Sequence, residues 1–193
     1  MIKRKVDKDM TGDMIVNLYL RDIWRSEQKH DIRCIFPSDK ERLMDFMHTE
    51  FPDEKGWAME AEHGWYEGTV LIAVDNQKII GFACYDCSGK GYFGPFGVAK
   101  AYRGQHIGVE LMYATFDAMK ARHYGYAIIG WVSDDREGSP TEFYKKYAMA
   151  SYIPHSDPHY TKYMQKVNML NINIGGDYVE IDHFRNGENV NGC

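Results

Sequence analysis

The chain has 193 residues, a composition 44% apolar and 14% aromatic, and a formal net charge of −5. These values exclude a disordered chain and a nucleic-acid binder working by bulk electrostatics, and the length suits one domain with a substantial core. No apolar run approaches the ~18 residues of a membrane-spanning helix and no signal-peptide core follows the start, so a soluble cytoplasmic protein with no membrane partner is expected.

Residues 1–12 are polar, and the cluster Lys3-Arg4-Lys5 reads as a solvated end. Met14 to Leu20 predicts an opening strand, Arg21 to His30 a charged connector, and Asp31 to Phe36 a second strand stopped by Pro37. Ser38-Asp39-Lys40-Glu41 has the form of a capping box, in which the serine hydroxyl takes an orphan amide and the glutamate reaches back. Leu43, Phe46, Met47 and Phe51 then mark one helical face, and a second short helix is expected from Trp57 to Trp65, with Gly64 weakening its end. Glu50, Asp53, Glu54, Glu60 and Glu62 fall in this region, either as a solvated face or as an acidic lip that attracts a cationic amine.

Val70 to Val74 and Ile79 to Tyr85 are continuous apolar runs joined by Asp75-Asn76-Gln77-Lys78, the pattern of a hairpin of two buried strands. Cys84 and Cys87 have the spacing of a redox motif, but they end a strand, where side chains three apart point to opposite faces. No second cysteine pair completes a zinc site, and no metal is expected.

The stretch Gly91 to Met119 organises the rest. Tyr92 to Val98 reads as a third antiparallel strand, bent at Gly94-Pro95 and Gly97. A basic turn, Ala101 to Gln105, leads into a helix whose apolar rows are Ile107, Leu111 and Ala114, and Met112, Phe116 and Met119. A strand, a glycine-containing turn and a helix start make an anion site, because the first-turn amides lack partners and the helix dipole favours negative charge there. Tyr126 to Val132 is a further strand, placed parallel to the preceding one by the intervening helix. A turn-rich loop, a short helix from Thr141 to Tyr147, a strand at Ser151 to Ile153 and a last strand at Tyr178 to Ile181 complete the reading, with a disordered end from Asn186.

Val98 to Gly108, VAKAYRGQHIG, resembles the acetyl-CoA signature of the GNAT acetyltransferase superfamily, Arg/Gln-x-x-Gly-x-Gly/Ala. Arg103 and Gly108 match its first and last positions, and His106 stands where the middle glycine is expected. With Ile79 to Asp86 upstream and Phe143-Tyr144 downstream, the likeness spans roughly residues 14 to 160 and is closest in look to bacterial amino-sugar-type members. It implies an α/β (α+β) GNAT-like fold over one domain, residues 1–193. The mixed sheet would have six to seven strands and about four flanking helices, and would splay between strands 92–98 and 126–132.

The resemblance also implies acetyl-CoA as cosubstrate and a small-molecule amine as acceptor, with a homodimer as a possible assembly. Phe96, Gly97, Val98, Arg103, Gly104, Gln105, His106, Ile107 and Gly108 would hold the cofactor. Tyr144 falls on the family's tyrosine near the CoA sulfur and is the candidate general acid, although Tyr147-Ala148-Met149-Ala150 replaces the motif's later glycine. Asp86 and Glu62 are the candidates for the base. A non-catalytic acyl-CoA-binding module is the alternative, since a histidine in place of the middle glycine would weaken cofactor binding.

Overall fold

The computed structural model describes residues 11–23, 27–133 and 140–156. Seven strands make one sheet: β1 (Thr11–Asn17), β2 (Asp31–Cys34), β3 (Val70–Asp75), β4 (Lys78–Tyr85), β5 (Tyr92–Val98), β6 (Tyr126–Ser133) and β7 (Ser151–Tyr152). Four α-helices accompany them, α1 (Lys40–Glu50), α2 (Lys55–Glu67), α3 (Ile107–Ala121) and α4 (Thr141–Ala148). The spatial order is β2-β3-β4-β5-β6-β1-β7, and every neighbouring pair is antiparallel except β5 and β6. Helix α3 is the crossover that the parallel pair requires. This is the mixed, helix-flanked sheet that the sequence predicts.

The continuous apolar runs of β3 and β4 are explained by burial on both faces. Leu71, Ala73, Ala83 and Tyr85 join Leu111, Phe116 and Met119 of α3 in one core, which also takes Met14, Val16 and Ile129. Val70, Ile72, Phe82 and Cys84 join Leu43, Phe46, Met47 and Ala61 of α1 and α2 in the other. Both predicted rows of α3 are inward-facing, with Ile107, Leu111, Met112, Phe116 and Met119 all buried.

Some boundaries differ from the sequence reading, each for a local reason. The first strand runs Thr11–Asn17 rather than 14–20, because the Asn17 side-chain oxygen accepts the Tyr19 N–H at 3.0 Å and turns the chain into a 3-10 segment, Leu18–Ile23. The second strand ends at Cys34, and the Phe36 N–H is taken by the Asp39 carboxylate at 2.9 Å. That carboxylate also binds Arg33 at 2.6 Å and Arg42, and the bond to Arg33 holds it well below the usual carboxylate range. Asp39 therefore occupies the N-cap of α1, and the predicted Ser38–Glu41 capping box does not form. Helix α2 is longer than predicted at both ends and passes through Gly64, where a Cβ would lie 2.6 Å from Cys87 Sγ. The predicted strand at 178–181, the end beyond 186 and the part of the single-domain reading past 157 lie outside the described residues. No helix among the described residues is long and apolar enough to cross a membrane.

Candidate active site

Strand β5 is where the sheet opens. Its first residues are paired on both sides, Tyr92 and Phe93 with Ile128 and Ile129 of β6, and Phe93 with Tyr85 of β4. Beyond Phe93 the β4 ladder continues through Phe96, Gly97 and Val98, while no further β5–β6 pair forms among the described residues. Between the Phe93 and Phe96 pairs β5 advances three residues to β4's two, so Gly94-Pro95 carries a bulge. The two parallel strands thus part into a wedge, closed at Phe93 and open towards Val98, where one edge of β5 presents backbone N–H and C=O groups. Gly97 makes the strand thin: a Cβ there would lie 2.4 Å from the Phe51 ring, which lies directly over the backbone.

Past Val98 the chain makes a 3-10 turn, Lys100–Tyr102, and reaches α3 through two residues of left-handed backbone, Gly104 at φ 82° and His106 at φ 65°. The root of this turn is tied down. Arg103 Nε donates to the Val98 carbonyl at 3.1 Å, and the Lys100 N–H donates to the Glu50 carboxylate at 3.0 Å. Lys100, Arg103, Gly104, Gln105 and His106 themselves are exposed. The His106 carbonyl accepts the N–H groups of Val109 and Glu110, and its imidazole caps nothing. The Ile107 and Gly108 amides are therefore left for an outside acceptor, with the helix dipole behind them and two exposed cations beside them. At Gly108 a Cβ would stand 3.3 Å from Phe96 and 3.8 Å from Phe143, so glycine lets the helix start close against the wedge. The nine predicted cofactor residues form one stretch from the wall of the wedge to this helix start.

At the closed end stands α4. The Phe143 ring stacks on Phe96 with centroids 6.0 Å apart, and Tyr144 meets Phe93 edge-on at 6.4 Å. Tyr144 is buried, at 7% exposure, and its hydroxyl has no hydrogen-bond partner among the described residues. Burial pushes its phenol well above the ordinary tyrosine range, so it holds its proton.

The sequence model of the acetyltransferase (GNAT) family matches residues 31–149, more than half of the chain. The chain belongs to the acetyltransferase (GNAT) family. Its fold is similar to a solved GCN5-related N-acetyltransferase from Sphaerobacter thermophilus, at 19% identity and a TM-score of 0.57, over 75% of this chain and 48% of that one. It is also similar to a structure described as a GCN5-related glucosamine N-acetyltransferase region of a fungal multi-domain β-N-acetylglucosaminidase, at 18% identity and a TM-score of 0.55, over 78% of this chain and 20% of that one. A functionally unknown protein from Staphylococcus epidermidis matches at 14% identity and a TM-score of 0.50, over 78% of this chain and 66% of its own. The chain thus spans about half of the Sphaerobacter protein and a fifth of the fungal one. No curated protein matches it. The GNAT match begins at β2 and leaves out β1, which lies between β6 and β7.

The GNAT chain's two predicted base candidates are held in other bonds. Asp86, in left-handed backbone at φ 62°, accepts the Gly91 N–H at 2.8 Å and the Tyr124 hydroxyl at 2.9 Å, with Lys90 3.6 Å away. Glu62 pairs at 2.8 Å with Lys40, whose ammonium also lies over the Trp65 and Tyr66 rings. The turn at Asp86 also ends the strand alternation, so Cys84 and Cys87 do not point apart. Burial raises the buried Cys84 thiol, and a hydrogen bond from Cys84 holds Cys87 below the ordinary thiol range.

Two further acidic residues, neither of them a predicted base, sit beside the wedge. Asp13 is buried; its carboxylate accepts the Trp131 N–H at 3.1 Å and the Tyr92 hydroxyl at 3.0 Å, tying β1 to β6 and β5 at the closed end. Its only signal was a lone acid between Gly12 and an apolar run. Glu60 is half-buried and accepts the Ser88 hydroxyl at 3.1 Å.

Proposed function

We propose that this acetyltransferase moves the acetyl group of acetyl-CoA to the primary amine of a small molecule, with Tyr144 protonating the departing thiolate. The observation that carries this reading is the layout of β5: its open end meets the exposed, uncapped start of α3, and its closed end meets the buried phenol of Tyr144. A long cosubstrate with phosphates at one end and a thioester at the other matches that span. Acetyl-CoA supplies the activated acetyl group. Exposed amides and Lys100 and Arg103 hold the phosphates, and the unpaired edge of β5 holds the amide-bearing arm. Phe93, Phe96 and Phe143 exclude water from the closed end. Tyr144, kept neutral by burial, carries a proton to place on the sulfur, and the same apolar surroundings raise the basicity of a thiolate released beside it.

The test is thiol release from acetyl-CoA against a panel of amino sugars, polyamines and amino acids. Tyr144→Phe is expected to lower turnover by about 10²-fold or more and to leave CoA affinity unchanged. Unchanged turnover would reduce Tyr144 to packing. CoA binding without thiol release from any amine would make the protein a binding module instead.

A further inference from the structure

Helix α2 carries two acids that leave it on different sides. Ala61 faces the core; Glu62, one residue on, pairs with Lys40 of α1. Glu60, one residue back, lies about 200° round the helix from Glu62 and bonds Ser88, in the loop between β4 and β5. That loop also shapes the closed end of the wedge. The Tyr92 N–H donates to Gly89 at 3.1 Å, and a Cβ on Gly89 would stand 3.1 Å from the Tyr92 ring. The helix itself touches β5. Glu60 thus stands on the flank of α2 that borders the wedge, on the face of the sheet opposite the core that holds Tyr144.

We propose that the acceptor amine reaches the closed end of the wedge from this face, and that Glu60 is the carboxylate that takes its protons. The proposal rests on the acetyl-transfer reading above and adds the second proton carrier that the reaction needs. Among the described residues Glu60 makes no ion pair. The titratable groups that face it are Cys84 on β4 and Cys87 in the loop, with Tyr92 and Asp13 farther along the same face. A half-buried carboxylate with thiols and a hydroxyl around it and no cation against it is suited to an ammonium ligand. Burial raises Glu60 above the ordinary glutamate range, which makes it a better base, and the Ser88 hydrogen bond opposes that rise. Protons balance across the two faces. As the C–N bond forms and the C–S bond breaks, two protons leave nitrogen through Glu60 to solvent. Tyr144 gives one to sulfur and regains one from solvent, so one proton is released overall.

The experiment takes the full chain with acetyl-CoA and the amine that gives turnover in the panel. Glu60→Gln is expected to lower kcat by about 10²-fold or more and to remove the acid limb of kcat/KM that belongs to the enzyme. Calorimetric CoA affinity should not change. Ser88→Ala removes the bond that lowers Glu60, so it should move the same limb to higher pH. Infrared titration of the carboxyl band without any ligand should show the same upward shift, and no titrating group there in Glu60→Gln. Should Glu60→Gln fail to fold, the Ser88→Ala shift decides alone. A Glu60→Gln protein with wild-type turnover and an intact acid limb overturns the proposal and leaves acetyl transfer standing. A wild type that binds CoA but turns over no amine overturns both.

Discussion

The turns on either side of β5 use the same unusual backbone for opposite ends. Asp86, before the strand, and His106, after it, both sit in left-handed conformation, at φ 62° and 65°. That conformation costs an L-residue about 1–2 kcal/mol. At Asp86 the side chain offsets the cost, because its two carboxylate oxygens take the Gly91 N–H and the Tyr124 hydroxyl. The loop from 86 to 91 is thereby fastened to the start of β6, and the apex of the wedge is held shut. At His106 the side chain caps nothing and is exposed, so the cost stands. What it secures is the path of the chain into α3 and the outward-facing amides. One turn is closed by its own side chain; the other leaves its amides open.

The largest way to break this contrast is Asp86→Gly. Glycine adopts the same backbone freely, but the Gly91 N–H and the Tyr124 hydroxyl lose their acceptor. An unsatisfied buried donor costs about 1–3 kcal/mol, and relief of the backbone returns about 1, so a net loss of about 2 kcal/mol is expected from denaturant midpoints. Asp86→Asn sharpens the comparison. Asparagine tolerates the left-handed region and keeps one carbonyl oxygen for Gly91, and the Tyr124 hydroxyl can turn to accept from the amide, so the loss should stay near 1 kcal/mol. If Asp86→Gly were as stable as wild type, the carboxylate bonds would contribute nothing and the two turns would be alike.

The parts of this molecule governed by periodicity were legible. The rows of α3, the doubly buried β3 and β4, the parallel partner of β5 and the bend at Gly94-Pro95 all follow from spacing, apolar runs and glycine or proline chemistry. What escaped were acids whose partners are fixed only by folding. Asp39 looked like the second residue of a capping box, but Arg33 draws its carboxylate away from the helix end. Glu110, on α3, is buried and accepts the N–H groups of Lys29 and His30, both at 3.1 Å. Asp13 and Glu60 are of the same kind. Hydropathy assigns such residues to solvent, because nothing local says which donor will meet them after folding. Which of Glu60 and Glu62 faces α1 is a property of the packed helices.

The smallest effect is expected at His106, and there the structure changes the reason for wanting a glycine. From sequence, a glycine at this point of the motif spares the phosphates a Cβ. The φ of 65° shows a second reason, present before any ligand arrives: the backbone itself favours glycine. His106→Gly removes the left-handed cost and adds freedom to the unfolded chain, terms of about 1–2 and about 0.5–1 kcal/mol, so stability should rise by about 0.5 kcal/mol. On the expectation that CoA binds without changing this backbone, its affinity should change less than about threefold. His106→Ala separates the causes, since it removes the ring, keeps the Cβ and keeps the backbone cost. If only the backbone matters, the alanine form binds CoA like wild type and gains no stability. If the ring crowds the phosphates, both variants bind more tightly. If the imidazole binds a phosphate, both bind more weakly, and the turn after β5 has a side chain at work just as the turn before it does. Calorimetric affinities and denaturant midpoints for the three proteins decide among these.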